Sequence, residues 1–203
     1  MSRGATARLF VAVDPPAHVR EQLTAWALTA AAGVGSRASD AGSRTLRLLE
    51  PEMLHLTLCF LGNRPVHEIE AIGSTLSAWD TDLGELSIGA PLWLPPRRPQ
   101  ALAVEIRDAA GGLTRLHETV TQAISHATAW EPEKRRFRAH ITVARMRARA
   151  KRGRGPAGAD PRLPATPQLS FTPESVVLYR SWLARTGATY EAIATCHLIP
   201  AEL

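Results

Sequence analysis

Residues 54–62 read LHLTLCFLG, and residues 139–145 read AHITVAR. Both stretches run histidine, aliphatic, threonine, aliphatic, and the two histidines lie 140 − 55 = 85 positions apart. Side chains two positions apart on a β-strand point to the same face of the sheet. Each stretch therefore predicts a strand whose apolar side packs on a core while its other side presents a histidine and a threonine.

The other histidines test whether this pattern is distinctive. Four of the seven histidines are followed by threonine at the second position, and His117 and His126 are two of them. Both lie in residues 111–130, whose apolar residues recur at helical spacing, and residues i and i+2 of a helix point about 200° apart. Only His55 and His140 lie in strand-like aliphatic runs. A single such strand is more often a solvated sheet surface or holds a satisfied core histidine, but two matching copies favour a functional pair.

Basic residues are concentrated around the second copy. Residues 134–154 read KRRFRAHITVARMRARAKRGR, with ten Lys and Arg residues and no acid. The remaining chain holds 24 − 10 = 14 bases and 19 acids, a net charge of −5. A local excess of cations favours a polyanionic partner such as nucleic acid. The alternative is a solvated, Arg-rich loop.

The order of predicted elements indicates an α+β fold. Helical periodicity predicts helices over 15–31, 65–79 and 111–130, and strand-like runs surround them without a strict βα order. Several strand candidates are neighbours in sequence, as in 174–184 and 189–199, so largely antiparallel sheets are expected. Residues 33–43 and 147–167, rich in small residues or in Arg, Gly and Pro, predict loops, and 147–167 is a candidate for disorder.

Composition bounds the cellular setting. The 203 residues suit one domain, taken here as 1–203 with 147–167 as a basic loop. Cys59 and Cys196 are too few for a disulfide framework. No signal peptide is recognisable, and the apolar run 23–35 is too short to cross a membrane. We therefore expect a cytoplasmic protein that has no membrane partner.

Paired histidines suit a displacement at phosphorus. Such a reaction needs a base at the attacking oxygen and an acid at the leaving oxygen, and imidazole, with a pKa of about 6.5, serves either role. Threonine hydroxyls can donate hydrogen bonds to the non-bridging oxygens, and an arginine can add a charged contact. The sequence has no pattern typical of a metal site, so we expect no metal and no cofactor.

Both motifs, with their order along the chain, resemble the paired HxTx motifs of the 2H phosphoesterase superfamily. The branch that they resemble most is the RNA 2′,3′-cyclic phosphodiesterases, formerly named 2′-5′ RNA ligases. Segments such as RLFVAVDPPAHVREQL (8–23) and SVVLYRSWLARTGATYEAIATCHL (175–198) extend the resemblance over nearly the whole chain. It implies a two-lobed α+β fold, with helices on the outer faces and one HxTx strand from each lobe in a central cleft.

The resemblance also implies a reaction and roles for five residues. The enzyme would open a 2′,3′-cyclic phosphate at an RNA end to a 2′-phosphomonoester. Apart from the resemblance, we expect a monomer. His55 resembles the proton donor and His140 the proton acceptor. The residues that resemble the phosphate-binding set are Thr57, Thr142 and Arg145.

The sequence departs from the family pattern after the first motif and before the second. The family often has Lys directly after the first HxTx, where this chain has Cys59, which strict alternation places on the face of His55. Ala139 stands where the family often has Pro. Strict alternation also places Arg145 opposite His140, so Arg145 reaches the cleft only if the strand twists, bulges or ends.

Alternative functions remain open from the sequence. The same site could perform 2′-5′ RNA ligation, or act on small cyclic phosphates or 2′-5′ oligonucleotides. A different class is an RNA-binding protein without catalysis that uses 134–154 as a phosphate track. Phe137 is the only aromatic residue in that stretch, and single-strand binders stack bases on several, which counts against this class.

Overall fold

A computed structural model describes residues 5–35, 46–76, 83–146, 163–184 and 187–198. Within these residues the chain forms three α-helices and nine strands, and all strand pairings are antiparallel. The helices are α1 (Ala17–Gly35), α2 (Ile69–Leu76) and α3 (Gly112–Ala127). The strands are β1 (Thr6–Asp14), β2 (Leu46–Leu48), β3 (Leu56–Pro65), β4 (Leu86–Leu94), β5 (Ala101–Arg107), β6 (His140–Met146), β7 (Ser170–Phe171), β8 (Ser175–Ala184) and β9 (Gly187–His197).

The sheet consists of two halves that meet at one point. Its strand order is β7-β4-β5-β6-β3-β1-β8-β9, and β2 pairs with β6. Strands β3 and β6 are joined by a single residue pair, Leu56 with Ile141. Each half contributes one strand that carries a His-Thr motif. The predicted α+β fold, with mostly antiparallel strands and one motif from each half, is confirmed.

Apolar side chains from strands and helices form one core. In β1 the alternate residues Leu9, Val11 and Val13 are buried almost completely. The helical spacing in 111–130 predicts one apolar face on α3, and its four members are fully buried. These are Leu113, Leu116, Val120 and Ile124. Burying one such side chain contributes roughly 1.5–3 kcal/mol to the stability of the fold, so this face holds α3 against the sheet.

Several element boundaries differ from those that the sequence predicts. Helix α1 continues to Gly35, so the predicted loop at 33–43 begins too early. The helix predicted over 65–79 begins with a 3-10 turn, Val66–Glu68, before α2, and its last residues lie outside the described part. Strand β7 was not predicted. The basic loop at 147–167 lies mostly outside the described residues, and it stays a prediction together with the single-domain assignment.

No described helix is both long enough and apolar enough to cross a membrane.

Asp108 fixes the start of α3. Its carboxylate accepts hydrogen bonds from the backbone N–H groups of Gly112 (3.0 Å), Leu113 (2.8 Å) and Thr114 (3.4 Å). These groups have no partner inside the helix. We expect Asp108→Ala to cost about 1 kcal/mol, which corresponds to a decrease in Tm of about 2–4 °C for a chain of this size. Thermal unfolding measures it. Asp108→Asn, which keeps an acceptor oxygen, should lose less, and equal Tm values for wild type and Asp108→Ala would contradict the assignment.

Candidate active site

The junction between the two halves brings both motifs together. His55 immediately precedes β3 and His140 is the first residue of β6, so each histidine adjoins the Leu56–Ile141 pair. Residues directly opposed in an antiparallel pair share a face, and both Leu56 and Ile141 are buried in the core. Their neighbours therefore point to the other face. The structure places four predicted site residues there, all half-buried: His55, Thr57, His140 and Thr142.

Each histidine is oriented by the carbonyl two residues before it. Nδ1 of His55 lies 2.9 Å from the carbonyl oxygen of Met53, and Nδ1 of His140 lies 2.7 Å from that of Arg138. A carbonyl oxygen only accepts, so Nδ1 carries a hydrogen in both rings. This leaves Nε2 of each neutral ring with a free lone pair. The two copies therefore present the same nitrogen for chemistry.

Aromatic rings surround His55. Its ring centroid lies 4.9 Å from that of Phe10, 5.2 Å from that of Tyr190 in an edge-to-face arrangement, and 6.2 Å from that of Tyr179. Phe10 is buried, whereas both tyrosines remain partly accessible. One wall of the site is thus an apolar aromatic cluster.

This environment disfavours a charged His55. Burial lowers the pKa of His55 to about 4, although the hydrogen bond to the Met53 carbonyl acts in the opposite direction. The positive charges of Arg145 and His140 lower this pKa further. Both groups are therefore close enough to His55 to interact with it electrostatically. Without a bound anion, His55 is neutral at pH 7.

A β-bulge brings Arg145 to the face of the histidines. In the pairing of β6 with β5, Thr142 opposes Ala103 and Ala144 opposes Leu102, so Val143 is an extra residue. A bulge of this kind reverses the alternation beyond it. Val143 and Ala144 are both buried, and Arg145 is exposed. Because of the bulge at Val143, Arg145 lies on the same face of β6 as Thr142.

The first motif contains a bulge at the equivalent position. In the pairing of β3 with β1, Cys59 opposes the core residue Val11, and Leu58 is the extra residue. The prediction that Cys59 shares the face of His55 is therefore wrong. Cys59 is buried in the core, and burial raises its pKa to about 12. Phe60 takes the front position instead, and its ring stacks on that of Phe10 with 6.4 Å between centroids.

Sequence reasoning missed the contribution of β1. None of the predicted site residues lies on β1, yet Phe10 packs on His55 and Asp14 lies on the same face, while Leu9, Val11 and Val13 fill the core. Asp14 accepts a hydrogen bond of 2.6 Å from the hydroxyl of Tyr179. Burial raises the pKa of Asp14, and the bond from Tyr179 partly offsets this. The alternation of polar or aromatic with aliphatic residues in RLFVAVD was the available signal.

Within the described residues, no three His, Cys, Asp or Glu side chains are grouped so that they could hold a metal ion.

Solved structures share this architecture. A crystal structure of the Thermus thermophilus protein TT0787 superposes with a TM-score of 0.71 and 26% identity, and covers 96% of this chain and 100% of that one. Escherichia coli LigT, crystallised with 3′-AMP, also gives a TM-score of 0.71, with 22% identity and 96% and 99% coverage. The fold is thus the one that TT0787 and LigT share, and in this chain the two His-Thr strands lie at the centre of the sheet.

Curated relatives identify the family to which the chain belongs. An RNA 2′,3′-cyclic phosphodiesterase of Archaeoglobus fulgidus is 30% identical over 141 residues, which cover 69% of this chain and 73% of the relative. One from Aeropyrum pernix is 27% identical over 103 residues, 50% of this chain and 58% of the relative. No family model matches. The chain belongs to the RNA 2′,3′-cyclic phosphodiesterase family.

The low pKa of His55 predicts an acid-sensitive fold. In the unfolded chain the ring takes up a proton below about pH 6.5, whereas in the folded chain it does so only near pH 4. Stability is therefore lost as pH falls from about 6.5 to about 4. We expect His55→Gln to remove about 1–2 kcal/mol of the decrease between pH 7 and pH 5, as measured by urea unfolding at both values. His126→Gln, at an exposed position of α3, is the control, and identical pH dependence in all three proteins would refute the shift.

Proposed function

We propose that the protein hydrolyses 2′,3′-cyclic phosphate ends of RNA to 2′-phosphomonoesters by acid–base catalysis with His55 and His140. The observation that carries the proposal is the matched orientation of the two rings. Each donates its Nδ1 hydrogen to the carbonyl two residues earlier, and both are held on one face beside the β3–β6 junction. Two imidazoles with free Nε2 atoms supply the base and the acid that an in-line displacement requires.

The proposed reaction is a single displacement at phosphorus. Nε2 of His140 takes a proton from water as the water oxygen bonds to phosphorus. The bond from phosphorus to the 3′ oxygen breaks, and protonated Nε2 of His55 donates its hydrogen to that oxygen. The product is a 2′-phosphomonoester with a free 3′ hydroxyl, and the proton gained by His140 returns to solvent. The assignment of donor and acceptor follows the family resemblance.

Bound substrate would favour the uptake of a proton from solvent by His55. In the free protein, burial and neighbouring positive charges hold the pKa of His55 at about 4, so the donor form is scarce at pH 7. A phosphodiester anion beside the ring favours the imidazolium and raises its pKa. The protonated acid would thus form chiefly when substrate occupies the site.

Three further residues fit a phosphate-binding role. Thr57 and Thr142 lie on the histidine face, where their hydroxyls can donate to non-bridging oxygens that gain charge in the transition state. Arg145 is exposed on that face and acts electrostatically on His55. Its guanidinium can form charge-assisted hydrogen bonds to a phosphate.

An RNA substrate is supported by the cations that precede His140 in the sequence and by the rings beside His55. Four cations precede His140 on exposed positions, which favours a polyanion. The partly accessible rings of Tyr179 and Tyr190 beside His55 suit the base or sugar attached to the phosphate. Both curated relatives carry the name RNA 2′,3′-cyclic phosphodiesterase, and LigT was crystallised with 3′-AMP. The exposed cations are Lys134, Arg135, Arg136 and Arg138.

The first experiment tests the two histidines together. Hydrolysis of an RNA with a 2′,3′-cyclic phosphate end is measured in EDTA for wild type, His55→Ala and His140→Ala. We expect wild type to be active and each variant to lose about 10²–10⁴-fold in kcat, because each removes one proton-transfer group. The position of the phosphate in the product identifies the leaving oxygen.

His126→Ala is the matched control, because His126 is exposed and also has threonine at the second position. It should retain full activity. An inert wild type, or histidine variants as active as this control, would exclude the proposed function. Activity that is lost in EDTA and restored by a metal ion would exclude the metal-independent mechanism.

Arg145 can be tested separately. A charge-assisted hydrogen bond contributes about 1.5–3 kcal/mol, so we expect Arg145→Ala to lower kcat/KM about 10- to 100-fold. Arg180→Ala is the control, since Arg180 opposes the core residue Leu9 and stacks on Trp182, away from the site face. Equal kcat/KM for the two variants would remove Arg145 from the site.

A further inference from the structure

The two motif strands share little main-chain pairing, although the proposed reaction demands precise placement of its acid and base. Leu56–Ile141 is the single residue pair that joins them, and every other residue pairing of β3 within the described residues is with β1. An in-line displacement requires the acid and the base to be held on opposite sides of one phosphorus atom. A second contact must therefore fix the spacing of the strands.

His117, a residue of α3, contacts the first motif strand. Its Nδ1 lies 3.0 Å from the carbonyl oxygen of Leu58 and donates a hydrogen to it. Leu58 is the bulged residue of β3. In the second motif, the carbonyl of the bulged residue Val143 accepts a hydrogen bond of 3.0 Å from the backbone N–H of Leu49. Each bulged residue's carbonyl thus accepts a hydrogen bond from a residue outside the two paired strands, and at Leu58 the donor is His117.

The same imidazole contacts the segment that leads into the second motif. The ring of His117 stacks on that of Phe137, with 4.3 Å between centroids and 9° between planes. Phe137 is followed by Arg138, whose carbonyl orients His140, and by Ala139, whose carbonyl accepts a hydrogen bond from Ile106 of β5. One half-buried ring therefore bridges the bulge after His55 and the residues that position His140.

We propose that His117 is a positioning residue for the reaction: its hydrogen bond to Leu58 and its stack on Phe137 set the relative placement of His55 and His140. The inference rests on the proposed function. It assigns His117 no contact with substrate and no proton transfer. It also gives Phe137, the one aromatic residue of the basic stretch, a role in holding the site rather than in stacking bases.

Two substitutions separate the two contacts. His117→Phe keeps an aromatic ring against Phe137 and removes the donor to Leu58, whereas His117→Gln keeps a donor and removes the ring. Phe137→Leu removes the stack and leaves the hydrogen bond. Because a displacement of about 1 Å costs on the order of 100-fold, we expect His117→Phe and Phe137→Leu to lower kcat about 10- to 100-fold, with KM changed less than about threefold. His117→Gln, which like Phe137→Leu keeps the donor and loses the stack, should show a loss similar to that of Phe137→Leu.

His126→Ala, on an exposed position of the same helix, controls for changes in α3 that do not reach the site. A merely structural role would lower Tm and leave kcat of the folded protein unchanged. The NMR titration of the His55 ring gives a readout that does not require turnover. We expect His117→Phe to shift this titration and His126→Ala to leave it unchanged.

Wild-type turnover that depends on His55 and His140 establishes the site independently of this inference. With that established, kcat within threefold of wild type for both His117→Phe and Phe137→Leu overturns the positioning role while the active site stands. If wild type is inert, the proposed function fails, and an unchanged titration of the His55 ring in the variants overturns the positioning role as well. Should His117→Phe fail to fold, Phe137→Leu and His117→Gln are judged by the same criteria.

Discussion

One antiparallel residue pair, Leu56 with Ile141, holds the two halves of the sheet together at the point where the chemistry is expected. Both side chains are buried, so the core beneath the junction fixes which face carries the histidines. The flanking His and Thr side chains then lie on the other face, because successive side chains of a strand point to opposite faces. The buried Leu56–Ile141 pair therefore also places the two histidines that we propose as catalytic on the opposite face of the sheet.

Strand periodicity was sufficient to predict the mixed fold, the antiparallel pairing and the face of the four motif residues. It failed beyond the threonines, because Leu58 and Val143 are bulged and alternation reverses after them. A bulge depends on how a strand pairs with its neighbour, and no local residue pattern in the two motifs marks it. The unpredicted bulge at Leu58 explains why Cys59 was assigned to the wrong face. The bulge at Val143 is one of the irregularities on which the predicted position of Arg145 depended.

Contributions from distant segments were also beyond the sequence pattern. Phe10, Tyr179 and Tyr190 belong to three strands, and only the order of the folded sheet places their rings around His55. Likewise, the sequence predicts His117 on a helix, where a histidine and the threonine two positions later point in different directions. The His-Thr pattern therefore gave no reason to link His117 with the motif strands. Its contact with Leu58 follows from the position of α3 beside β3, which hydrophobic periodicity along α3 does not specify.

Both proposed catalytic rings are oriented by main-chain carbonyls of their own segments, those of Met53 and Arg138. Many enzymes instead use a carboxylate to orient a histidine, and that carboxylate also stabilises the charged ring. A neutral carbonyl selects the same tautomer with much less effect on charge. The site thus separates geometry from electrostatics: the backbone decides which nitrogen faces the cleft, while the charge of whatever occupies the cleft decides when that nitrogen is protonated. In each motif the orienting carbonyl belongs to the residue two positions before the histidine. The same short segment can therefore orient a histidine at two places in one chain.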